Sequence, residues 1–222
     1  MREPVSVVIP CHNQAKFVAE AIASIRAQDW PIREIIVVDD GSTDDSAAVA
    51  RAAGAQVVSQ NQRGAAAARN TGVRHASGAL IAFLDGDDVW PAGSLGARAA
   101  ALDETGADMA FGRIEQRHNS PAFGDPGYPG YSIPGRVAGS LLLRRASFER
   151  VGPFNENLKE AEVIDWVARA DEARLSSVRV ENIVLLRRIH GANMMLTTTD
   201  GDKRRLAVLR AAIQRRKGHA DA

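Results

Sequence analysis

The chain has 222 residues, 45% hydrophobic and 25% charged, with a formal net charge of +1. That length admits one large domain or two small ones, and the near-zero charge excludes a global electrostatic pull toward nucleic acid. No apolar run approaches the ~20 residues of a membrane-spanning helix, MREPVSVVIP lacks a signal-type apolar core, and the single Cys11 excludes an internal disulfide; the expectation is a cytoplasmic protein.

VSVVI at 5–9 predicts a first strand ended by Pro10. Asn13 is the expected N-cap of a helix over 14–28, where Phe17, Val18, Ala21, Ile22 and Ile25 recur at helical spacing. EIIVV at 34–38 predicts a second strand. Ser42 or Thr43 is the expected cap of a helix running to about Ala53, closed by Gly54. A third strand over 55–59, an Ala-rich helix over 64–76 and a fourth strand over 79–84 follow. This alternation predicts βαβ units, hence an α/β fold with a mainly parallel sheet and helices on both faces.

The second half is less regular. A helix is expected after Pro91, ending before Gly106, then a strand at 107–113. Residues 118–135, rich in Gly, Pro and Tyr, read as a long loop: a lid, an acceptor loop carrying Tyr128 and Tyr131, or disorder. A strand over 136–144, a helix over 158–173 and a β-branched apolar stretch at 177–189 complete the pattern, followed by a basic helix from Asp202 to Lys217.

Two acidic turns carry the chemistry: VVDDGSTD at 37–44 and FLDGDDVW at 83–90. Each follows a short apolar strand, so both are placed at carboxyl ends of strands, where open α/β sheets bind ligands. Up to five carboxylates (Asp39, Asp40, Asp85, Asp87, Asp88) on one rim repel one another unless a cation joins them. Hard cations such as Mg²⁺ or Mn²⁺ bind carboxylate oxygens and bridge to phosphates. The pattern therefore points to a metal-dependent site for a phosphorylated substrate.

These motifs, in this order, resemble the family 2 glycosyltransferases of GT-A fold. The matching segments are VSVVIPCHN at 5–13, IIVVDDGSTDDS at 35–46 and GAAAARNTGVRHASGALIAFLDGDDVW at 64–90, with weaker matches at 139–158 and in RRIHGAN at 187–193. The resemblance implies a single GT-A domain over 1–222: a nucleotide-sugar part (1–113), an acceptor and catalytic part (114–199) and the basic tail (200–222). It implies transfer of a sugar, with inversion, from a nucleotide-diphosphate donor, UDP-linked first, to a saccharide, lipid-linked, small-molecule or peptide acceptor.

The resemblance also implies roles. Asp85-Gly86-Asp87-Asp88 matches the DxD metal motif, with Asp87 favoured as the direct ligand of Mn²⁺ or Mg²⁺, Asp85 as a second ligand or a contact to the donor's ribose or a metal-bound water, His190 as a further ligand, and Gly86 letting the backbone approach the phosphates. Asp39 and Asp40 match the nucleobase-contacting pair, Asp40 favoured. Pro10, His12, Asn13, Arg63 and Arg69 border the same donor, each with a structural alternative: turn, cap or brace. The general base is Asp165 or Glu162, because Val163 occupies the aspartate position of relatives. Trp166 either lines the acceptor pocket or is core. Of Arg187 and Arg188, adjacent on one strand, at most one faces the donor. The basic tail contacts a membrane surface, its own domain or a second copy. The competing reading is a degenerate nucleotide-sugar binding or scaffold protein, motivated by Val163.

Overall fold

The computed structural model describes residues 2–118, 132–158 and 161–189. His190, Tyr128, Tyr131 and the expected basic helix lie outside the described residues. Strands β1 (Val5–Cys11), β2 (Ile32–Asp40), β3 (Gln56–Gln60) and β4 (Leu80–Phe83) are parallel, in the order β3-β2-β1-β4. Every residue of β1 and β4 is buried. A parallel strand covered on both faces has no polar side to show, which is why these read as unbroken apolar runs.

The sheet then becomes mixed. β7 (Leu142–Arg144) lies antiparallel between β4 and β5 (Met109–His118); β6 (Ser132–Pro134) runs antiparallel and β8 (Ser177–Ile189) parallel to β5. Helices α1 (Val18–Arg26), α2 (Ser46–Ala52), α3 (Ala65–His75), α4 (Ser94–Thr105), α5 (Arg145–Val151) and α6 (Glu162–Glu172) flank it. Two cores result. One packs Ile22 and Ile25 of α1 and Leu95 and Leu102 of α4 with Val7, Ile9 and Val37. The other packs Val73 of α3, Phe148 of α5 and Trp166 of α6 with Val8, Ile81 and Phe83. Gly72 is what lets α3 lie against β1: a Cβ there would come within 2.2 Å of Val8 Cγ1.

The expected βαβ order holds, and several local readings need correction; β5 runs past the expected 113 to His118, and β6 at Ser132–Pro134 lies inside the stretch read as a loop. β1 runs through Pro10 to Cys11; Pro10 lies beyond the last β1–β4 pair, where a missing N–H is tolerated. Asn13 is not a helix cap: it adopts the left-handed conformation, with φ 53°, which asparagine accepts, and α1 starts only at Val18. α2 starts at Ser46, not at Ser42 or Thr43; those two bind the 12–13 loop instead, and Asp44 accepts the Ser46 N–H at 3.0 Å. The strand expected over 136–144 is a 3-10 turn at Ala138–Ser140 plus the three residues of β7, and α5 follows at once.

Trp166 is core. It is 0% exposed, stacks on Phe148 at 5.7 Å, and its indole N–H donates to the Gly152 carbonyl at 2.8 Å. Burial of such a ring contributes roughly 2–3 kcal/mol by transferred area, and it leaves no face for an acceptor.

Candidate functional site

Because β2, β1 and β4 are parallel neighbours, their carboxyl ends bring residues 10–13, 39–44 and 85–88 to one rim. The first two segments are laced together. Asn13 Oδ1 accepts the Thr43 N–H at 2.8 Å, and the Asn13 N–H donates to Ser42 Oγ at 3.0 Å. His12 Nδ1 lies 3.0 Å from the Asp40 carbonyl oxygen, while its Nε2 lies 3.2 Å from the amide nitrogens of Gln62 and Asn13. With a proton on Nδ1, that nitrogen donates to the carbonyl and Nε2 faces the amide groups.

Asp39 and Asp40 differ. Asp40 is 4% exposed and accepts hydrogen bonds from Gln60 Nε2 at 2.7 Å and from the N–H groups of Arg63 at 2.8 Å and Gly64 at 2.7 Å. It ties the 60–64 loop to the end of β2. Asp39, also buried, accepts only the Ser42 N–H at 3.1 Å on Oδ1 among the described residues. Gln60, not anticipated from sequence, reaches Asp40 because it is that residue's register partner across β2 and β3.

At the second acidic turn, Asp85 is held by Arg69 at 2.7 Å. Arg69 is 4% exposed and its other terminal nitrogen meets Glu162 Oε1 at 2.5 Å. Burial opposes the guanidinium's charge, and the two carboxylates more than offset it, so its pKa is raised. Asp88 is buried, accepts the Arg188 N–H at 3.0 Å, and has its pKa raised well above the usual range by burial, then by the charges of Asp87 and Asp85, with Arg187 working the other way. Arg188 donates to Glu20 at 2.6 Å and to the Asp87 carbonyl at 3.2 Å, and covers the Phe17 ring at 4.7 Å. These Arg188 contacts pin β8 to the acidic turn.

Asp85 and Asp87, either side of Gly86, are hard oxygen donors suited to Mg²⁺ or Mn²⁺. Among the described residues, no three His, Cys, Asp or Glu side chains are grouped to hold an ion. With two carboxylates from the described residues, an ion there has coordination positions left for oxygens of a bound substrate. A buried oxygen adjoins the turn: Gln14 Oε1 has no hydrogen-bond donor among the described residues and would lie 2.2 Å from a Cβ on Gly86.

The two candidate bases part company. Glu162 joins the acidic turn through Arg69. Asp165 pairs with Arg169 at 2.9 Å and lines an open cleft of about 670 Å³ with Asn70, Phe154, Asn155 and Glu156. Arg63 has its side chain on Glu156, away from Asp40. Val163 is half-buried against the aromatic core.

The family model for glycosyl transferase family 2 matches residues 6–154, more than half of the chain. Among curated relatives, glycosyltransferase AglE of Haloferax volcanii is 29% identical over 198 residues, 81% of this chain and 65% of AglE. Succinoglycan biosynthesis protein ExoU of Rhizobium meliloti is 36% identical over 200 residues, 75% of this chain and 56% of ExoU. The chain thus spans less than two thirds of the length of either relative. Among solved structures, S. aureus TarS 1–349 in complex with UDP-GlcNAc superposes with a TM-score of 0.76 at 21% identity, covering 94% of this chain and 65% of that one. Mannosyltransferase PcManGT of Pyrobaculum calidifontis, in complex with GDP-Man and Mn²⁺, gives 0.69 at 21%, covering 87% and 59%. At these identities the likeness concerns the fold, which is GT-A. The chain belongs to glycosyl transferase family 2.

Proposed function

We propose that the chain transfers a glycosyl group, with inversion, from a nucleoside-diphosphate sugar to an acceptor hydroxyl. The observation that carries this reading is the Asp85–Arg69–Glu162 chain, which links the acidic turn at the sheet rim to the first turn of α6. Family membership and fold neighbours solved with UDP-GlcNAc and with GDP-Man support a nucleotide-sugar donor, and UDP is the first to test. Residues 1–113 hold the donor, with Asp39 rather than Asp40 facing the base, since three donors already occupy Asp40. A Mn²⁺ or Mg²⁺ ion held by Asp85 and Asp87 supplies charge neutralisation to the diphosphate.

In the transfer, the acceptor oxygen bonds to the anomeric carbon. The bond to the β-phosphate oxygen breaks with its electrons leaving on that oxygen, and the acceptor proton passes to a carboxylate. Glu162, nearest the acidic turn, is the preferred base over Asp165. Calorimetric titration of UDP with Mn²⁺, with EDTA and in Asp87→Ala tests the site. Metal-dependent binding lost in the variant is the expected result; failure of UDP, GDP and dTDP to bind under any of these conditions rejects it.

A binding-only reading is favoured by one observation: both candidate bases are committed to arginines and Val163 is apolar. Acceptor-dependent release of the nucleoside diphosphate separates the two readings, and Glu162→Gln lowering turnover by more than tenfold assigns the base.

A further inference from the structure

Four arginines border the acidic turns, and their partners separate them. Arg63 is held by Glu156, Arg69 by Asp85 and Glu162, and Arg188 by Glu20. Arg187, half-buried, is held by its backbone in the β5–β8 ladder, and its side chain makes no hydrogen bond or ion pair with any other described residue. Its position is nevertheless fixed. On one side of it, Leu186 and Val89 exchange both backbone hydrogen bonds, at 2.9 and 3.2 Å; on the other, the Arg188 N–H donates to Asp88 at 3.0 Å. Side chains alternate along a strand. Arg188 turns to Glu20 and Phe17, so Arg187 turns to the opposite side of β8.

A guanidinium partly removed from water without an acceptor is costly. One presented from a pinned strand is ready for planar, two-point pairing with phosphate. We propose that Arg187 binds the diphosphate of the donor and takes up charge on the leaving nucleoside diphosphate. The inference rests on the donor reading above and adds to it a fixed protein cation beside the proposed metal ion, since the other three arginines are already paired with carboxylates.

The test compares UDP, by calorimetry, with uridine, by ligand-observed NMR, on the full chain in Mn²⁺. Wild type, Arg187→Ala and Arg187→Lys are measured. The expected result is at least a tenfold loss of UDP affinity in Arg187→Ala, uridine binding within twofold of wild type, and partial recovery of UDP affinity in Arg187→Lys. Uridine binding doubles as the check that the variant is folded. Unchanged UDP affinity, or equal losses for UDP and uridine, overturns the inference alone. Wild type that binds UDP, GDP and dTDP no better than uridine overturns the donor reading and this inference with it.

Discussion

Arg69 and Glu162, 93 positions apart in sequence, form a buried ion pair, and the same guanidinium holds Asp85 at 2.7 Å. This contact makes the acidic turn after β4 and the start of α6 one electrostatic unit. Arg69→Met leaves Glu162 buried and unpaired. Breaking a buried pair costs about 3–5 kcal/mol, and the partial exposure of Asp85 places the expected loss near the lower figure. Urea unfolding measures it. Adding Glu162→Leu to Arg69→Met is expected to recover stability without recovering UDP binding, because the second change removes the stranded charge and not the missing contact to Asp85.

The buried parallel strands and the acidic turns were legible in the sequence for two reasons. A parallel strand buried on both faces is apolar along its length, and carboxylates crowded at the end of such a strand repel one another unless a cation or a donor group offsets them. Register and long-range pairing were not legible. Gln60 reaches Asp40 only through the β2–β3 register, and Arg188 reaches Glu20 across 168 positions. Asn13 had the composition of a helix cap; the laced turn with Ser42 and Thr43 prevailed because it satisfies two backbone N–H groups at the rim. Trp166 was ambiguous for a plain reason: an amphipathic helix does not announce which neighbour its aromatic face meets.

Asp39 and Asp40 are adjacent and are expected to fail differently. Asp40→Asn turns an NH₂ toward one of the three donors now served by the carboxylate, stranding a buried N–H at about 1–3 kcal/mol. Amide exchange at Arg63 and Gly64 is expected to quicken. Asp39→Asn disturbs one hydrogen bond at most, so its expected signature is weaker UDP binding at nearly unchanged stability. The reverse pattern would return the base contact to Asp40.

Cys11 gives a pH signature. Burial pushes its thiol from an ordinary 9.0 up to about 11, with a hydrogen bond to Ser46 opposing and the charges of Asp39 and Asp44 adding to the rise. The native thiol therefore keeps its proton where the unfolded thiol loses it. The resulting stability is full below the unfolded value and is lost as pH climbs from about 9 to about 11. The urea midpoint of the wild type is expected to fall across that window more than that of Cys11→Ala. At pH 8 a thiol reagent is expected to label the native chain only as fast as it unfolds, since Cys11 is 2% exposed.

Arg98 runs against the usual rule that buried charges are paired. It is 0% exposed, has no carboxylate partner among the described residues, and leaves Nη1 without an acceptor. Burial alone lowers its pKa. Its compensation is the Ser94 carbonyl at 3.1 Å and the Trp90 ring at 4.5 Å. A desolvated cation–π contact is worth about 2 kcal/mol and a charged hydrogen bond about 1.5–3 kcal/mol, against a desolvation penalty of several kcal/mol per ion. The terms nearly cancel. Arg98→Met, which fills the same channel over Trp90, is therefore expected to leave stability unchanged or to raise it by about 1 kcal/mol, where most fully buried positions lose stability on substitution. A loss above about 2 kcal/mol in urea unfolding would mean that the ring and the carbonyl hold the guanidinium better than its burial penalises it.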